Sequence, residues 1–506
     1  MELEYNKYKD SQIWIEVSDV ELAGKCTTLL IWQFQYKEGL GGYISGFKAR
    51  LCVRGDLQFP DAKDTYAATL AARVFRALLA MCAYFDLDIT QYDAISAFTN
   101  TDIDELVLCY GAPGFPIPGR VLKLCKALYG LKRAPLLWFN DLTKTLQQME
   151  FAVIPDAPCV YTNNVLIIFF FVDDIVVVSR KDDRASTVQF GKTLSAKYPL
   201  TAKDEMKWFL AMRIIRDRDA RKIWICQDSY VDKIVAKYNL QGRKSPDTPL
   251  STDDLVPFQG TATPQEVASY QSKVGSIIYP TSITRPDIAF ASSRLASFIQ
   301  NPSPTHQLAA ERVIRYLDGT RYYALELGGI NEAIVSVFEG SSDASFADHP
   351  DRKSSEGRHF SLFGGSIDWK AGVQNTVGRS TTEVELKALS NAGVDLIWWK
   401  RLFTSLSLDI DHTPFINCNN MQTVGIVNKS STKLVTKLKH IDIHQHWLRQ
   451  EAEAGSIVVK WVPTTEMKAD GFTKSLGPQK HAEFVRQMNL VDIKDRIDKE
   501  ATDDAI

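Results

Sequence analysis

Nothing in the cysteine pattern of this chain builds a zinc knuckle or a disulfide frame. The eight cysteines, at 26, 52, 82, 109, 125, 159, 226 and 418, never form a CxxC pair and read as reduced thiols of an intracellular protein. Long apolar runs are equally scarce. The longest, Val165 to Val172, is eight residues, against the roughly 20 that cross a bilayer. The opening MELEYNKYKDSQIW is polar and charged and does not read as a signal peptide, so a soluble, cytoplasmic protein without membrane contact is expected. Neither sign of charge dominates. With 59 Lys and Arg against 61 Asp and Glu, the formal net charge is -2, and any surface that grips nucleic acid must be local. No internal repeat is visible.

What is present is an ordinary globular composition, 45% hydrophobic and 24% charged over 506 residues, enough for three or four domains at roughly 150 residues each. The segment 241–264, QGRKSPDTPLSTDDLVPFQGTATP, is rich in Pro, Ser, Thr and Asp and reads as a linker or long surface connection. A second break falls at ELGGINEA, from Glu326. The expected parts are 1–240, a linker and helical connection over 241–331, a sheet domain over 332–480, and a tail over 481–506. In the first, TLAARVFRALLAMCAYF sets Leu70, Val74, Ala77, Leu78, Met81 and Phe85 at helical spacing, an amphipathic helix, and ITQYDAISAF reads as a strand ending near Asp93. In the sheet domain, strands 334–345 and 358–369 precede helix 382–403, strand 414–418, a helical stretch 433–453 and strand 456–462, an α/β or α+β arrangement.

The run VLIIFFFVDDIVVVSR, 165–180, holds two adjacent carboxylates, Asp173 and Asp174, inside apolar sequence. A buried unpaired charge costs far more than the roughly 2 to 7 kcal/mol of a buried polar group. Either a cation sits there or the acids lie at a turn. Two short β-rich runs flank the pair, so a hairpin with the acids at its tip is predicted. A solvated turn is the ordinary meaning of such a pair. The chemical alternative is that Asp93 converges on it to hold Mg²⁺, which takes a few carboxylates together with substrate phosphates. Neighbouring strand side chains point to opposite faces, so Asp173 and Asp174 are not equivalent.

The surrounding segments decide between the two. FKARLCVRGDLQ (47–58), DTYAATLAARVFRALLA (64–80), QYDAISAFTNTDIDE (91–105), KALYGLKRAPLLWF (126–139), FFFVDDIVV (169–177) and MKWFLAM (206–212) together resemble the reverse transcriptase of copia-type LTR retrotransposons, specifically the fungal branch. The resemblance implies a right-hand polymerase fold of fingers, palm and thumb, with Mg²⁺ or Mn²⁺ as cofactor. By it, Asp93, Asp173 and Asp174 are the catalytic, metal-binding acids, with Asp174 beside the primer terminus. Lys48 and Arg50 grip the incoming triphosphate, and Phe98 is the ring that excludes a ribose 2′-OH, a plain core aromatic being the alternative. Tyr129 and Gly130 pack on the nucleotide, and Phe209 and Leu210 belong to the primer grip. Lys132 and Arg133 read either as a solvated basic turn or as template contacts. Phe171 stands where the family has Tyr before the acids, and Ala211 where it has Gly, an exchange that matters only if that backbone needs φ > 0.

Further on, GSSDASFADHPDRKSSEG (340–357), STTEVELKALSNA (380–392), INCNNMQ (416–422), KHIDIHQHW (439–447) and PTTEMKADGFTK (463–474) resemble the RNase H domain of the same family. By resemblance Asp343, Glu385 and Asp470 are three of its four metal-binding acids. Glu385 is preferred over Glu383, which reads as a surface residue favourable to the helix dipole. At the fourth place the family's CDN is Cys418-Asn419-Asn420, and neither Asn420 nor Asn417 replaces the acid. Two divalent ions bring four positive charges, so losing one carboxylate is expected to impair hybrid cleavage strongly. His440, His444 and His446 lack a Cys or Glu framework for zinc. Lys433, Lys437 and Lys439 are either phosphate contacts or solvated.

The whole is thus expected to be an α+β multidomain chain: a reverse transcriptase, a helical connector (275–299 carrying no evident chemistry) and an RNase H-like α/β domain. It reads as the C-terminal part of a transposable element's Pol polyprotein, starting within or just before the polymerase fingers and without integrase or protease. Expected partners are an RNA template, a DNA primer, RNA–DNA hybrid and deoxynucleoside triphosphates. By family, integrase and Gag-type particle proteins join them in a cytoplasmic particle. The alternative is a decayed or domesticated relic that binds nucleic acid or merely folds.

Overall fold

The apolar run around the paired acids folds as predicted, because both faces of its sheet are covered. In the computed structural model, strands Leu166–Phe171 and Asp174–Ser179 pair antiparallel, joined by the two residues Val172 and Asp173. Ile168 to Phe170 and Ile175 to Val178 are all buried, and a strand covered on both sides reads as a continuous hydrophobic run instead of alternating. The structure describes residues 1–22, 27–38, 44–58, 64–203, 205–329, 336–410, 412–428 and 442–503. Lys433, Lys437, Lys439 and His440 lie outside them. Among the described residues no helix is long and apolar enough to cross a membrane.

The chain divides into two compact units, 1–70 with 89–205, and 71–88 with 206–506. In the first, the paired-acid hairpin forms the middle of a six-stranded sheet. Its order runs Leu200–Lys203, Asp88–Ala94, Asp174–Ser179, Leu166–Phe171, Ala157–Thr162, Ala152–Ile154. Helix Ala134–Gln148 anchors the hairpin, since the Trp138 indole donates to the Val172 carbonyl at 2.7 Å. A separate two-stranded ribbon, Leu30–Glu38 with Ile44–Val53, shares a core with a four-stranded sheet through Leu30, Leu51, Val53, Leu122 and Leu128.

The second unit contains helix Ala72–Tyr84, a five-stranded antiparallel sheet, a helical cluster and a mixed sheet. The helix is not amphipathic as expected. Val74 through Ala83 are all buried, including Arg76, whose guanidinium donates to the carbonyls of Ile367, Ser282 and Ile283, while Phe85 beyond the helix is exposed. Residues 241–263 lack helix and strand as predicted, yet they are pinned: Leu250 and Leu255 enter the core formed by helices Pro264–Ile283, Ala289–Ala296 and Pro304–Gly319. The stretch beyond 480 is not a loose tail. Helix Pro478–Gln487 leads into strand Leu490–Asp492, which pairs with Tyr323–Gly328 and closes the antiparallel sheet, and Met488, Leu490 and Ile493 are buried.

The mixed sheet runs Gly365–Val373, Ser355–Leu362, Phe338–Ser345, Phe415–Cys418, Val458–Trp461, the first three antiparallel and the last two joining in parallel. Residues 355–373 form a hairpin where one strand is predicted. Its two-residue loop, Phe363 and Gly364, has φ of 51° and 79°, the double-positive turn that tight hairpins prefer; the buried Phe363 disguises it as strand. Helix Thr381–Ser405 buries Val384, Leu389, Leu396 and Trp399. A short helix, Met421–Asn428, follows the fourth strand without having been anticipated.

Candidate active sites

The first acid cluster is assembled by one sheet. Asp93 is near the end of strand Asp88–Ala94, and the next residue, Ala94, donates its amide to the Asp173 carbonyl at 2.8 Å. Acids eighty positions apart are therefore backbone neighbours. Val172, in the loop, has φ of 55°, a costly conformation for a β-branched residue of order 1–3 kcal/mol, stored beside the acids. Asp174 opens the outgoing strand, paired with Phe171, so one acid is on the loop and its neighbour on the ladder. Phe171 in place of Tyr leaves this geometry intact.

The electrostatics follow from partial burial. Burial pushes the Asp173 carboxyl above its ordinary range and the Asp93 charge adds to this, while Arg50 and Lys48 pull it back. Asp174 is likewise raised by burial and by Asp173, and eased by Gln91 and Lys203. Gln91 donates to Asp174 Oδ1 at 2.6 Å, and Lys203 Nζ lies 3.9 Å from the same oxygen and 4.0 Å from Asp93 Oδ1. Neither Gln91 nor Lys203 was singled out from sequence.

Lys48 and Arg50 sit two apart on strand Ile44–Val53 and share a face, opposite Gln35 and Gln33. The Arg50 guanidinium lies 5.6 Å from the Tyr129 ring centre, and Tyr129 meets Phe98 at 4.8 Å between centroids. Phe98, on the short helical turn Ala97–Asn100, is half-buried and packs against the core that contains Leu51, Val53 and Leu128. Gly130 is required sterically. Its φ is +90°, and a Cβ would meet the Val53 carbonyl oxygen at 2.0 Å, while Val53 donates to the Tyr129 carbonyl at 2.7 Å. Lys132 and Arg133 are tied inward, Lys132 to the Gln58 carbonyl at 2.9 Å and Arg133 to Asp104 and the Asp64 carbonyl.

Phe209 and Leu210 lie in the other unit. The Phe209 ring is buried and stacked on Phe75 at 4.8 Å, so it anchors a turn and offers no contact surface. The turn itself has Leu210 at φ 48° and Ala211 at φ 59°, with the Leu210 carbonyl accepting from Tyr279 at 2.7 Å. Ala211 thus occupies a left-handed position, the condition under which glycine is the better residue.

The second cluster sits at one edge of the mixed sheet. Asp343 is near the end of its central strand, Asn419 directly follows the parallel neighbour, Glu385 projects from the long helix, and Asp470 begins a short turn. Asp343 is 5% exposed. Its Oδ2 accepts from the Thr473 hydroxyl at 2.5 Å and its Oδ1 from the Asn419 amide at 3.3 Å. Burial raises Asp343 above its ordinary range, and burial with the Asp343 charge pushes Glu385 up to about 8. Lys474 pairs with Asp470. Thr473 and Lys474, three and four residues after Asp470, were not anticipated. Glu383 is not a surface residue. It is 1% exposed, accepting from the Arg379 amide at 2.7 Å and from Lys387 at 2.8 Å. His444 is bonded to Ser390 at 3.0 Å and His446 is exposed.

Among the described residues no three His, Cys, Asp or Glu side chains are gathered closely enough to enclose a metal ion. Both clusters nevertheless fit a hard divalent cation in donor chemistry, being carboxylate oxygens that disfavour one another's charge. In the second, Glu385 Oε2 is buried with no hydrogen-bond partner among the described residues, which is an oxygen in need of a cation or a proton.

Residues 23–252 match the family described as reverse transcriptase (RNA-dependent DNA polymerase). The Pol polyprotein of transposon TNT 1-94 from Nicotiana tabacum is 31% identical over 474 residues, covering 90% of this chain and 35% of that protein. That of transposon RE2 from Arabidopsis thaliana is 28% identical over 483 residues, covering 91% and 32%. The chain therefore spans about a third of the length of these relatives. Among solved structures, a foamy viral protease-reverse transcriptase in complex with RNA/DNA hybrid is 15% identical with a TM-score of 0.45, covering 91% of this chain and 52% of that one. Over nine-tenths of its length the chain is similar to LTR retrotransposon Pol proteins, and residues 23–252 carry a reverse transcriptase domain.

Proposed function

We propose that the chain is an RNA-directed DNA polymerase that adds deoxynucleotides to a DNA primer on an RNA template, releasing pyrophosphate. The observation that carries this is the 2.8 Å bond from the Ala94 amide to the Asp173 carbonyl, which makes Asp93 and Asp173 neighbours. Asp93, Asp173 and Asp174 would hold Mg²⁺ or Mn²⁺, which when bound would polarise phosphoryl oxygens and the attacking hydroxyl. The protein's own part is positioning and charge. Lys48 and Arg50 present two cations to a triphosphate from one strand face, and Tyr129, fixed by Gly130 against Val53, and Phe98 form an aromatic floor for the sugar. Asp174 faces the primer end. Basic side chains would track the template–primer backbone and make binding sensitive to salt.

The sheet domain binds RNA–DNA hybrid in this reading and cleaves it weakly. Asp343, Glu385 and Asp470 would hold a cation, and Asn419 supplies an amide in place of a fourth negative charge. In its element the protein would act with integrase and Gag-type proteins in a cytoplasmic particle.

Primer extension on an RNA template with Mg²⁺ tests the first site, beside an Asp173→Asn control. Extension by the parent and none by the control is expected; equal background from both defeats the proposal. For the second site, Asn419→Asp should raise hybrid cleavage sharply, and an unchanged rate would place the defect elsewhere.

A further inference from the structure

The ribbon that carries Lys48 and Arg50 has a second face. Strands Leu30–Glu38 and Ile44–Val53 pair so that Trp32 stands across from Leu51, Phe34 from Ala49 and Tyr36 from Phe47. Alternation then puts Gln33, Gln35, Lys48 and Arg50 on one side, and Trp32, Phe34, Tyr36 and Phe47 on the other. The aromatic side is rooted at one end. Leu51 is buried there, and the half-buried Trp32 donates its indole hydrogen to the Pro113 carbonyl at 2.9 Å. Beyond them the rings stand in water: Phe34 is 68% exposed, Tyr36 60% and Phe47 86%.

Three exposed rings on one narrow face mark a contact surface, and their arrangement selects what can cover them. At about 150–250 Å² for a whole aromatic side chain, they expose about 300–500 Å² together. Each partner of a stable protein complex buries roughly 800 Å², so the patch is too small to hold a second copy of the chain by itself. Its spacing fits a thinner ligand. Alternate residues on a strand recur at about 6.8 Å, and the Trp32 and Phe34 rings lie 6.5 Å apart with planes 20° from parallel. Bases stack at about 3.4 Å along one strand of a duplex, so a ring interleaved between two bases repeats at about the same 6.8 Å. Charge agrees with spacing. Among the described side chains of the ribbon the charged ones are Lys48 and Arg50, so no acid there repels a phosphate backbone.

We propose that the aromatic face of the ribbon is a stacking platform for unpaired RNA: Phe34, Tyr36 and Phe47 hold single-stranded template away from the position being copied, on the side opposite Lys48 and Arg50. This rests on the polymerase reading of the site. Every base has a π face, so the platform holds RNA without regard to sequence. One ribbon then has two tasks separated by its own thickness, triphosphate on the cationic side and template on the aromatic side. Damage confined to the rings leaves the cations in place.

The test compares binding of the full-length chain to a blunt primer–template duplex and to the same duplex with an unpaired RNA extension of about 12 nucleotides. Fluorescence anisotropy gives both affinities, and primer extension gives the nucleotide KM. The unpaired extension should tighten binding by the parent about 100-fold. Phe34→Ala and Phe47→Ala should each remove about tenfold of that gain, with blunt-duplex affinity and nucleotide KM unchanged within about twofold. Phe47→Leu, which keeps apolar bulk without a π face, should fall with Phe47→Ala, and it carries the test should an Ala variant fail to fold. Unchanged affinity for the extended duplex overturns the proposal, as does an equal loss on the blunt duplex or a Phe47→Leu that binds like the parent. So does a parent that sediments as a dimer which Phe47→Ala dissociates while RNA affinity stays the same. A parent that binds RNA through these rings but extends no primer refutes the polymerase reading and leaves the platform standing; extension with ring-independent binding refutes the platform alone.

Discussion

Replacing Glu385 by Gln removes a carboxyl whose charge the fold disfavours. The carboxyl is 7% exposed, one oxygen lacks a partner among the described residues, and its pKa stands at about 8 against an ordinary 4.5. Between those values the folded chain keeps a proton on Glu385 that the unfolded chain has released. Stability is then full below the unfolded value and falls as pH rises through the folded one, at about 1.4 kcal/mol per pH unit. Gln does not titrate. The stability of Glu385→Gln relative to its parent should therefore grow by up to about 4 kcal/mol between pH 5 and pH 8, three units at that slope. Chemical unfolding without divalent ions, followed by tryptophan fluorescence at several pH values, measures the difference directly, because every other titrating group is common to both proteins. Mg²⁺ should stabilise the parent above pH 7 by more than it stabilises the Gln variant, the first site being common to both. A stability difference that does not vary with pH would show that Glu385 is solvated in the folded chain and would refute the account of the second site.

Gly130→Ala should destabilise the first unit by about 3 kcal/mol or more and abolish extension, because its Cβ would lie 2.0 Å from the Val53 carbonyl oxygen at a φ of +90°; unchanged thermal unfolding would contradict the close approach. Ala211→Gly should gain up to about 1 kcal/mol by relieving φ of 59°, measured by denaturant midpoint. Arg76→Met leaves the carbonyls of Ile367, Ser282 and Ile283 without their buried donor and should cost about 3–5 kcal/mol, again by denaturant unfolding.

The hairpin bearing Asp173 and Asp174 was legible because strand, turn and apolar flanks are all local signals, whereas the meeting of Asp93 with Asp173 was expected from the family resemblance. Gln91 and Lys203 were not. Their meaning arises only when strand 200–203 is laid beside strand 88–94 in a register that pairs residues more than a hundred positions apart, and no short-range pattern encodes that. The same holds for Arg76, which looks like the polar side of a helix until its three carbonyl partners, some two to three hundred residues on, are known. Glu383 misled for a related reason. A glutamate in a first helical turn is usually solvated, but here Lys387, one turn on, and the Arg379 amide compensate it, so it is buried. Residues 481–506 are polar enough to pass for a tail, and only the open edge of strand Tyr323–Gly328 gives Leu490 a place to bury.

Asn419 changes what the second cluster is before any cation arrives. A carboxylate at that position would face Asp343, already raised by burial, and add a third charge to a pocket where Glu385 is held protonated near neutral pH. The amide does the opposite, donating to Asp343 at 3.3 Å and joining the Thr473 hydroxyl on the other oxygen. Both oxygens of Asp343 are then satisfied by the protein alone, and the metal-free fold gains what the metal-bound state would lose in attraction. Such an exchange of catalytic charge for stability is what an acid cluster undergoes when one member turns neutral in place. No comparable exchange is present in the first cluster, where all three positions are aspartates and the compensating groups, Gln91, Lys203, Lys48 and Arg50, come from the surrounding strands. The first cluster thus keeps the acids that the polymerase proposal needs, while the second has one negative charge fewer than the resemblance implies.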